Sequence, residues 1–226
     1  MIPLNRPECG GNEIAYLTRA LEDGAIAAGG RFSQACLDWL RQEFGGAPAF
    51  LLQSASVGLE FAFLLAELAP GDEVVLPSFT FAACANAIAL RGATPVFADI
   101  DPATLNLDPN AAEAAVTKRT RAILAVHYAG VPCEMDALRA IATRHDLLLV
   151  EDAAQAFLSV YRGRPAGTLG DVGVFSFHHT KNVTSGEGGA VLINDARRAP
   201  RAEIVYQHGT NRAAFLRGDI SRYDWL

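Results

Sequence analysis

The chain has 226 residues, of which 50% are hydrophobic and 19% are charged, and its formal net charge is -6. That composition is typical of a globular protein with enough chain for one substantial core. Slight acidity without a basic cluster argues against nucleic acid or a membrane surface as a partner. The four cysteines lack CxxC spacing, and no membrane-spanning or signal segment is recognisable. We therefore expect a cytoplasmic protein with free thiols.

The predicted elements begin with two helices, over residues 11–23 and 33–44. Short apolar runs then alternate with segments rich in alanine and leucine. The apolar runs predict strands over 49–53, 72–77, 94–100, 121–127, 146–152, 171–177 and 189–194. The segments between them predict helices over about 57–68, 81–91, 110–117 and 135–144, with a further helix from 196.

This alternation indicates an α/β fold with a mainly parallel sheet covered by helices on both faces. The last two strands are joined by a short glycine-rich connection without a helix, which indicates a local antiparallel edge or hairpin. Ligands of such sheets usually bind at the carboxyl ends of the strands. The polar residues at those ends are therefore the candidates for chemistry.

Small and aromatic residues follow the first two predicted strands. The hydroxyl residues of Ser54-Ala55-Ser56 either cap the following helix or present its free N–H groups to a phosphate. Phe79 and Phe81 follow the second strand, and they either pack into the core or stack a ring on a planar ligand.

A carboxylate leaves the end of the predicted central strand, in Glu151-Asp152-Ala153-Ala154-Gln155. Such a buried carboxylate needs a cation or hydrogen-bond donors nearby, and a protonated heteroaromatic nitrogen would supply both. Gln155 could reach the same ligand. The alternative is that Asp152 is the N-cap of a following helix.

Lys181 lies in the stretch FSFHHTKNVTSGEGGAV, between the last two predicted strands. Taken alone, a lysine here is more often a surface charge than a chemical group. The glycine fingerprints of nucleotide-binding folds are missing, which disfavours a nicotinamide cofactor. His127, His178 and His179 lack metal-ligand spacing with a carboxylate, so we expect no metal.

Together these strand-end residues match the needs of pyridoxal 5'-phosphate (PLP). A lysine can bond to the aldehyde, an aspartate can hold the pyridine nitrogen protonated, and helix N–H groups can hold the phosphate. The sequence therefore predicts a PLP site at one edge of the sheet.

The chain also resembles a known family, the PLP-dependent nucleotide-sugar aminotransferases of the DegT/DnrJ/EryC1/StrS group. The segments that carry the resemblance are PGDEVVLPSFTFAACANAI, HYAGVPCEMD, VEDAAQA and GVFSFHHTKNVTSGEGGAV. The MIPLNRP start, the TKNVTSGEGG form and the GTNR segment are most similar to transaminases that form dTDP-4-amino-4,6-dideoxygalactose, enzymes of deoxyaminosugar and surface-glycan (lipopolysaccharide) biosynthesis.

The resemblance implies a role for each candidate residue. Lys181 would be the Schiff-base lysine, and Asp152 the partner of the pyridine nitrogen. Gln155 would contact the ring hydroxyl, and Phe81 would stack on the ring. The phosphate would be held by Ser54, Ala55, Ser56 and Ser176.

The resemblance also implies the fold, the reaction and the partners. The fold would be the three-layer large domain of the aspartate aminotransferase type (fold type I), over residues 1–200. Residues 201–226 would begin the connection to a small carboxy-terminal domain that is largely absent. A homodimer would transfer an amino group from glutamate to the 4-keto carbon of a dTDP-4-keto-6-deoxyhexose. The alternative is a truncated remnant that folds or dimerises without turnover.

Overall fold

The computed structural model describes residues 5–6, 10–24 and 26–226. Cys9 and most of the MIPLNRP segment lie outside these residues. The helices are α1 Glu13–Glu22, α2 Arg31–Glu43, α3 Ala55–Leu65, α4 Ala82–Ala89, α5 Pro109–Ala114, α6 Met135–His145, α7 Ala199–Tyr206 and α8 Arg212–Arg217. The strands are β1 Ala49–Leu52, β2 Glu73–Pro77, β3 Thr94–Ala98, β4 Thr120–Val126, β5 Leu148–Asp152, β6 Val160–Tyr161, β7 Arg164–Pro165, β8 Val172–Ser176 and β9 Gly189–Ile193.

Seven strands form one sheet in the order β1-β9-β8-β5-β4-β2-β3. The strands β3, β2, β4, β5 and β8 pair in parallel, whereas β9 runs antiparallel to both of its neighbours, β8 and β1. Because β9 alone is reversed, β1 points in the same direction as the parallel strands. The predicted mainly parallel sheet with an antiparallel edge is confirmed.

Helices cover both faces of the sheet, since the strands are apolar on both sides. On one face, α3, α4 and α7 pack on side chains such as Val150, Val174 and Val191. On the other face, α5 and α6 pack over Ile123 and Leu149, and α2 packs over a cluster that contains Phe175. The helices and the sheet therefore form three layers.

The connections that follow the parallel strands lie along a single edge of the sheet. The carboxyl ends of β1, β2, β4, β5 and β8 meet there, and the amino end of β9 joins them. Each predicted polar strand end therefore lies at this edge, as expected for a ligand site in an α/β sheet.

The sequence pattern predicts neither the β6–β7 hairpin nor α8. The hairpin strands have two residues each, too short for an apolar alternation. Its turn residues Arg162 and Gly163 both have positive φ, the geometry of a tight hairpin turn.

The predicted boundary at residue 200 falls inside α7. Ala202 of this helix is fully buried in the core that α3 shares with the sheet. The Tyr206 hydroxyl also donates a hydrogen bond to the Leu51 carbonyl, over 3.2 Å. Residues just beyond 200 thus pack on the large domain.

Among the described residues, none of the helices has the length and apolar character needed to cross a membrane.

Candidate functional site

A cavity of about 570 Å³ opens at the edge of the sheet where the strand ends meet. The residues predicted from the sequence all line it: Ser54, Ala55, Ser56, Phe81, Asp152, Gln155, Ser176 and Lys181. They come from the ends of four strands, β1, β2, β5 and β8, and the connections that follow them, so the topology of the sheet brings them together.

The amino terminus of α3 forms one wall of the cavity. Ser54 is its N-cap, because the Val57 N–H donates to Ser54 Oγ over 3.3 Å. The capping interpretation is therefore confirmed. Ala55 and Ser56 lie in the first turn of α3, so their N–H groups have no acceptor within the helix. The positive end of the helix dipole lies beside them. This terminus suits an anionic group such as phosphate.

Gly189 lets the start of β9 pack directly against this helix terminus. A Cβ atom at Gly189 would lie 2.5 Å from the Ser54 carbonyl carbon and 2.7 Å from the Ala55 nitrogen. These are backbone atoms that cannot rotate away. The glycine pair that ends GEGG is therefore more than a turn signal, since its last member, Gly189, allows β9 to pack against the α3 terminus.

Gly189→Ala is expected to destabilise the protein by about 1–3 kcal/mol, the usual cost of overpacking. It should also weaken PLP binding, because the α3 terminus must move. Urea unfolding and PLP titration measure the two effects. Gly188→Ala is the matched control, since the one close contact of its Cβ would be the movable Ser185 Oγ at 2.5 Å, with Phe177 at an ordinary 3.5 Å. Equal losses in the two variants would contradict this explanation.

Asp152 ends β5 and is 7% exposed. Successive strand residues face opposite sides of a sheet. Asp152 therefore faces α3 and α4 with Val150, whereas Glu151 faces the opposite layer. Asp152 Oδ1 accepts a hydrogen bond from the Ala154 N–H over 3.0 Å, and Oδ2 lies 3.2 Å from Cys84 Sγ. The next α-helix of the described chain after Asp152 is α7, which begins at Ala199, so the alternative of a helix N-cap is wrong.

Glu151 and His127 form a buried pair beneath the site, a contact that the sequence does not predict. Glu151 accepts hydrogen bonds from backbone N–H groups of the 167–170 turn, and its Oε2 lies 2.9 Å from His127 Nε2. The Cys133 N–H donates to His127 Nδ1, so the ring proton belongs on Nε2. A carboxylate with this many donors is stable when buried. The pair ties the ends of β4 and β5 together below Asp152.

Gln155 reaches the cavity across the turn that follows β4. Its Oε1 accepts a hydrogen bond from the Ala129 N–H over 2.6 Å. This contact fixes which end of the carboxamide is the oxygen and leaves the NH₂ group free to donate into the cavity. An oxygen acceptor such as a ring hydroxyl suits that position.

Two phenylalanines border the cavity and are not part of the core. Phe81 is 73% exposed, and Phe79, 43% exposed, packs edge-on against Tyr128 at 4.8 Å between ring centroids. Burial in the core, the common outcome for phenylalanine, is therefore wrong for both. A ring held at a cavity mouth can cover a planar ligand.

Lys181 lies on the connection between β8 and β9. The Phe177 N–H donates to the Gly188 carbonyl and the His179 N–H donates to the Gly186 carbonyl, so the connection extends the hairpin beyond the sheet. Lys181 is half-buried and lines the cavity. Ser176, at the end of β8, accepts from the His178 N–H over 3.3 Å and is buried.

These residues fit PLP on the chemistry of the groups present. A primary amine, a nearly buried carboxylate, an uncovered aromatic ring and a helix amino terminus surround one cavity. Each matches one part of the cofactor: the aldehyde, the pyridine nitrogen, the ring face and the phosphate. Fold and site together define the large domain of a PLP-dependent enzyme of fold type I.

The chain belongs to the DegT/DnrJ/EryC1/StrS aminotransferase family, whose model matches residues 7–220. This family uses PLP. The spore coat polysaccharide biosynthesis protein SpsC of Bacillus subtilis (strain 168) is 40% identical over 220 residues, which are 96% of this chain and 55% of that protein.

Solved structures give the same result. An aminotransferase from Psychrobacter cryohalolentis superposes with a TM-score of 0.89 at 32% identity, over 94% of this chain and 55% of that one. DesI, solved with its TDP-sugar product, has a TM-score of 0.80 at 43% identity, over 88% of this chain and 50% of that one. The chain thus spans about half the length of these relatives.

Proposed function

We propose that the chain is the catalytic large domain of a PLP-dependent aminotransferase acting on a nucleotide sugar. Glutamate would donate its amino group and leave as 2-oxoglutarate. The amino group would replace the keto oxygen at C4 of a dTDP-4-keto-6-deoxyhexose. The observation that carries this proposal is the single cavity that Lys181, Asp152 and the α3 terminus share.

PLP, when bound, supplies an electron sink that stabilises negative charge at the substrate carbon. Lys181 Nζ would hold the aldehyde and, once released, would move a proton between the substrate carbon and the cofactor. Asp152 would keep a proton on the ring nitrogen. The NH₂ group of Gln155 would donate to the ring hydroxyl, and Phe81 would cover the ring. Ser176 and the 54–56 segment would hold the phosphate.

A sugar substrate is supported by the polar groups at the cavity wall and by the relatives. His178 Nε2 lies 3.5 Å from Glu187 Oε1, and both residues line the cavity near Lys181. A donor and an acceptor side by side suit hydroxyl groups. DesI was solved with a TDP-sugar product, and SpsC is named for polysaccharide biosynthesis.

We also propose a homodimer in the cytoplasm. Phe81 and Leu90 are exposed, at 73% and 67%, and border a second depression next to the cavity mouth. A second copy would cover this apolar surface. Free thiols at Cys36, Cys84 and Cys133 suit a reducing compartment. Light scattering after size exclusion measures the mass, and a monomer at micromolar concentration would contradict the dimer.

The proposed activity is tested with purified protein, PLP, glutamate and dTDP-4-keto-6-deoxyglucose. We expect 2-oxoglutarate and an aminated nucleotide sugar in equal amounts, with nitrogen on C4 by NMR. Glutamate alone should convert bound PLP into pyridoxamine phosphate, which absorbs at shorter wavelength.

Two results would revise the proposal in different ways. Conversion of the cofactor by glutamate without sugar amination would reject the sugar substrate and retain the amino donor. Cofactor binding through Lys181 without either reaction would favour the alternative, a remnant that folds without turnover.

A further inference from the structure

A side chain of α4 contacts the carboxylate proposed to hold the cofactor's ring nitrogen. Cys84 is fully buried, and its Sγ lies 3.2 Å from Asp152 Oδ2. On its other side, the Thr80 hydroxyl donates to Cys84 Sγ over 3.1 Å, and Thr80 lines the cavity. A chain of hydrogen bonds therefore runs from the cavity wall through the thiol to the carboxylate.

The direction of these hydrogen bonds follows from the protonation of the thiol. Burial, and then the neighbouring Asp152 carboxylate, raise the pKa of Cys84 well above its usual range. The thiol is therefore protonated, and its S–H donates to Asp152 Oδ2. Since Oδ1 accepts from the Ala154 N–H, both oxygens of the carboxylate have a donor and its plane is fixed.

We propose that Cys84 is a positioning residue for the cofactor site, holding Asp152 in the orientation that receives the protonated ring nitrogen of PLP. This inference rests on the proposed function. A thiol is a weaker donor than a hydroxyl group. It orients the carboxylate and withdraws little of its negative charge, which remains for the ring nitrogen.

The competing explanation is that Cys84 is only a small apolar side chain of the core, the usual role of a buried cysteine. Ala87 and Ile88 of the same helix have such a role. Packing and hydrogen bonding are separable, because serine keeps a donor and alanine does not. Both replacements remove the sulfur atom, and the serine variant differs from the alanine variant by its hydroxyl group.

The experiment compares Cys84→Ala and Cys84→Ser in the full chain. PLP is titrated into apo-protein, and the dissociation constant and the absorbance maximum of the bound cofactor are measured at one fixed pH. We expect Cys84→Ala to raise the dissociation constant about two- to tenfold, the effect of one hydrogen bond, and to shift the absorbance maximum. Cys84→Ser should restore both values toward wild type.

Cys133→Ala is the matched control. Cys133 is also buried, but its S–H donates to the Val126 carbonyl on the opposite face of the sheet. Its loss should lower the unfolding temperature without changing the spectrum of bound PLP. Equal PLP affinity and spectra in wild type, Cys84→Ala and Cys84→Ser would overturn the inference, as would equal defects in both Cys84 variants. If wild type itself forms no reducible bond between PLP and Lys181, the proposed function fails instead.

Discussion

Lys181→Ala is expected to lose the covalent attachment of PLP and to lower the amination rate about 10³-fold or more. The lysine has two roles in the proposed reaction, bonding to the aldehyde and moving the proton, and no other primary amine lines the cavity among the described residues. Steady-state rates of 2-oxoglutarate formation, and absorbance spectra with bound PLP, measure the change.

The chain has two lysines, Lys118 and Lys181, so the control is well defined. Lys118 is exposed and precedes β4, at the edge of the sheet opposite to the cavity. Lys118→Ala should leave the rate and the spectrum unchanged. Lys181→Arg keeps the positive charge, but its guanidinium group stays protonated, so it should be as inactive as Lys181→Ala. An active Lys181→Ala variant would contradict the assignment.

Asp152→Asn should lower the amination rate about 10²- to 10³-fold, because the neutral amide does not stabilise a protonated ring nitrogen. Asparagine has nearly the same shape, and its Oδ1 can keep the hydrogen bond from the Ala154 N–H. The fold should therefore persist, and the loss should appear as a changed spectrum and a reduced rate of cofactor conversion by glutamate.

Asp171→Asn is the control for losing a carboxylate. Asp171 lies before β8, where it binds Arg139 over 2.8 Å and accepts from the Leu149 N–H over 2.7 Å. This variant should unfold at lower denaturant concentration and retain the spectrum of bound PLP. If Asp152→Asn transfers amino groups as fast as wild type, the proposed role of Asp152 is wrong.

Most of the sheet could be predicted because its strands carry their own signal. Runs such as Glu73–Pro77 and Val172–Ser176 are mostly apolar, are buried on both faces and are bounded by turn residues. Helix ends were harder to predict. For example, α3 begins at Ala55 and not at residue 57, because the Ser54 side chain caps it. The hairpin at Arg162-Gly163 depends on two positive φ angles, which a pattern of apolar residues does not predict.

The sequence predicts those residues of the candidate site that follow strand ends. It does not predict contacts between residues that are far apart in the chain. Asp152 and Lys181 follow predicted strands, so topology alone places them at one edge. The contact between Cys84 and Asp152 joins residues 68 positions apart and depends on how α4 lies on the sheet. The sequence has no signal for it. A signal did exist for Glu151, since a carboxylate inside an apolar run requires buried donors.

Borohydride reduction of the PLP-loaded protein tests the central claim most directly. The reagent fixes PLP on the amine that holds it, and peptide mass spectrometry then identifies the modified residue. With two lysines in the chain, the outcome is unambiguous. We expect one phosphopyridoxyl group per chain, on Lys181. Modification of Lys118 alone, or no modification of either lysine, would contradict the account.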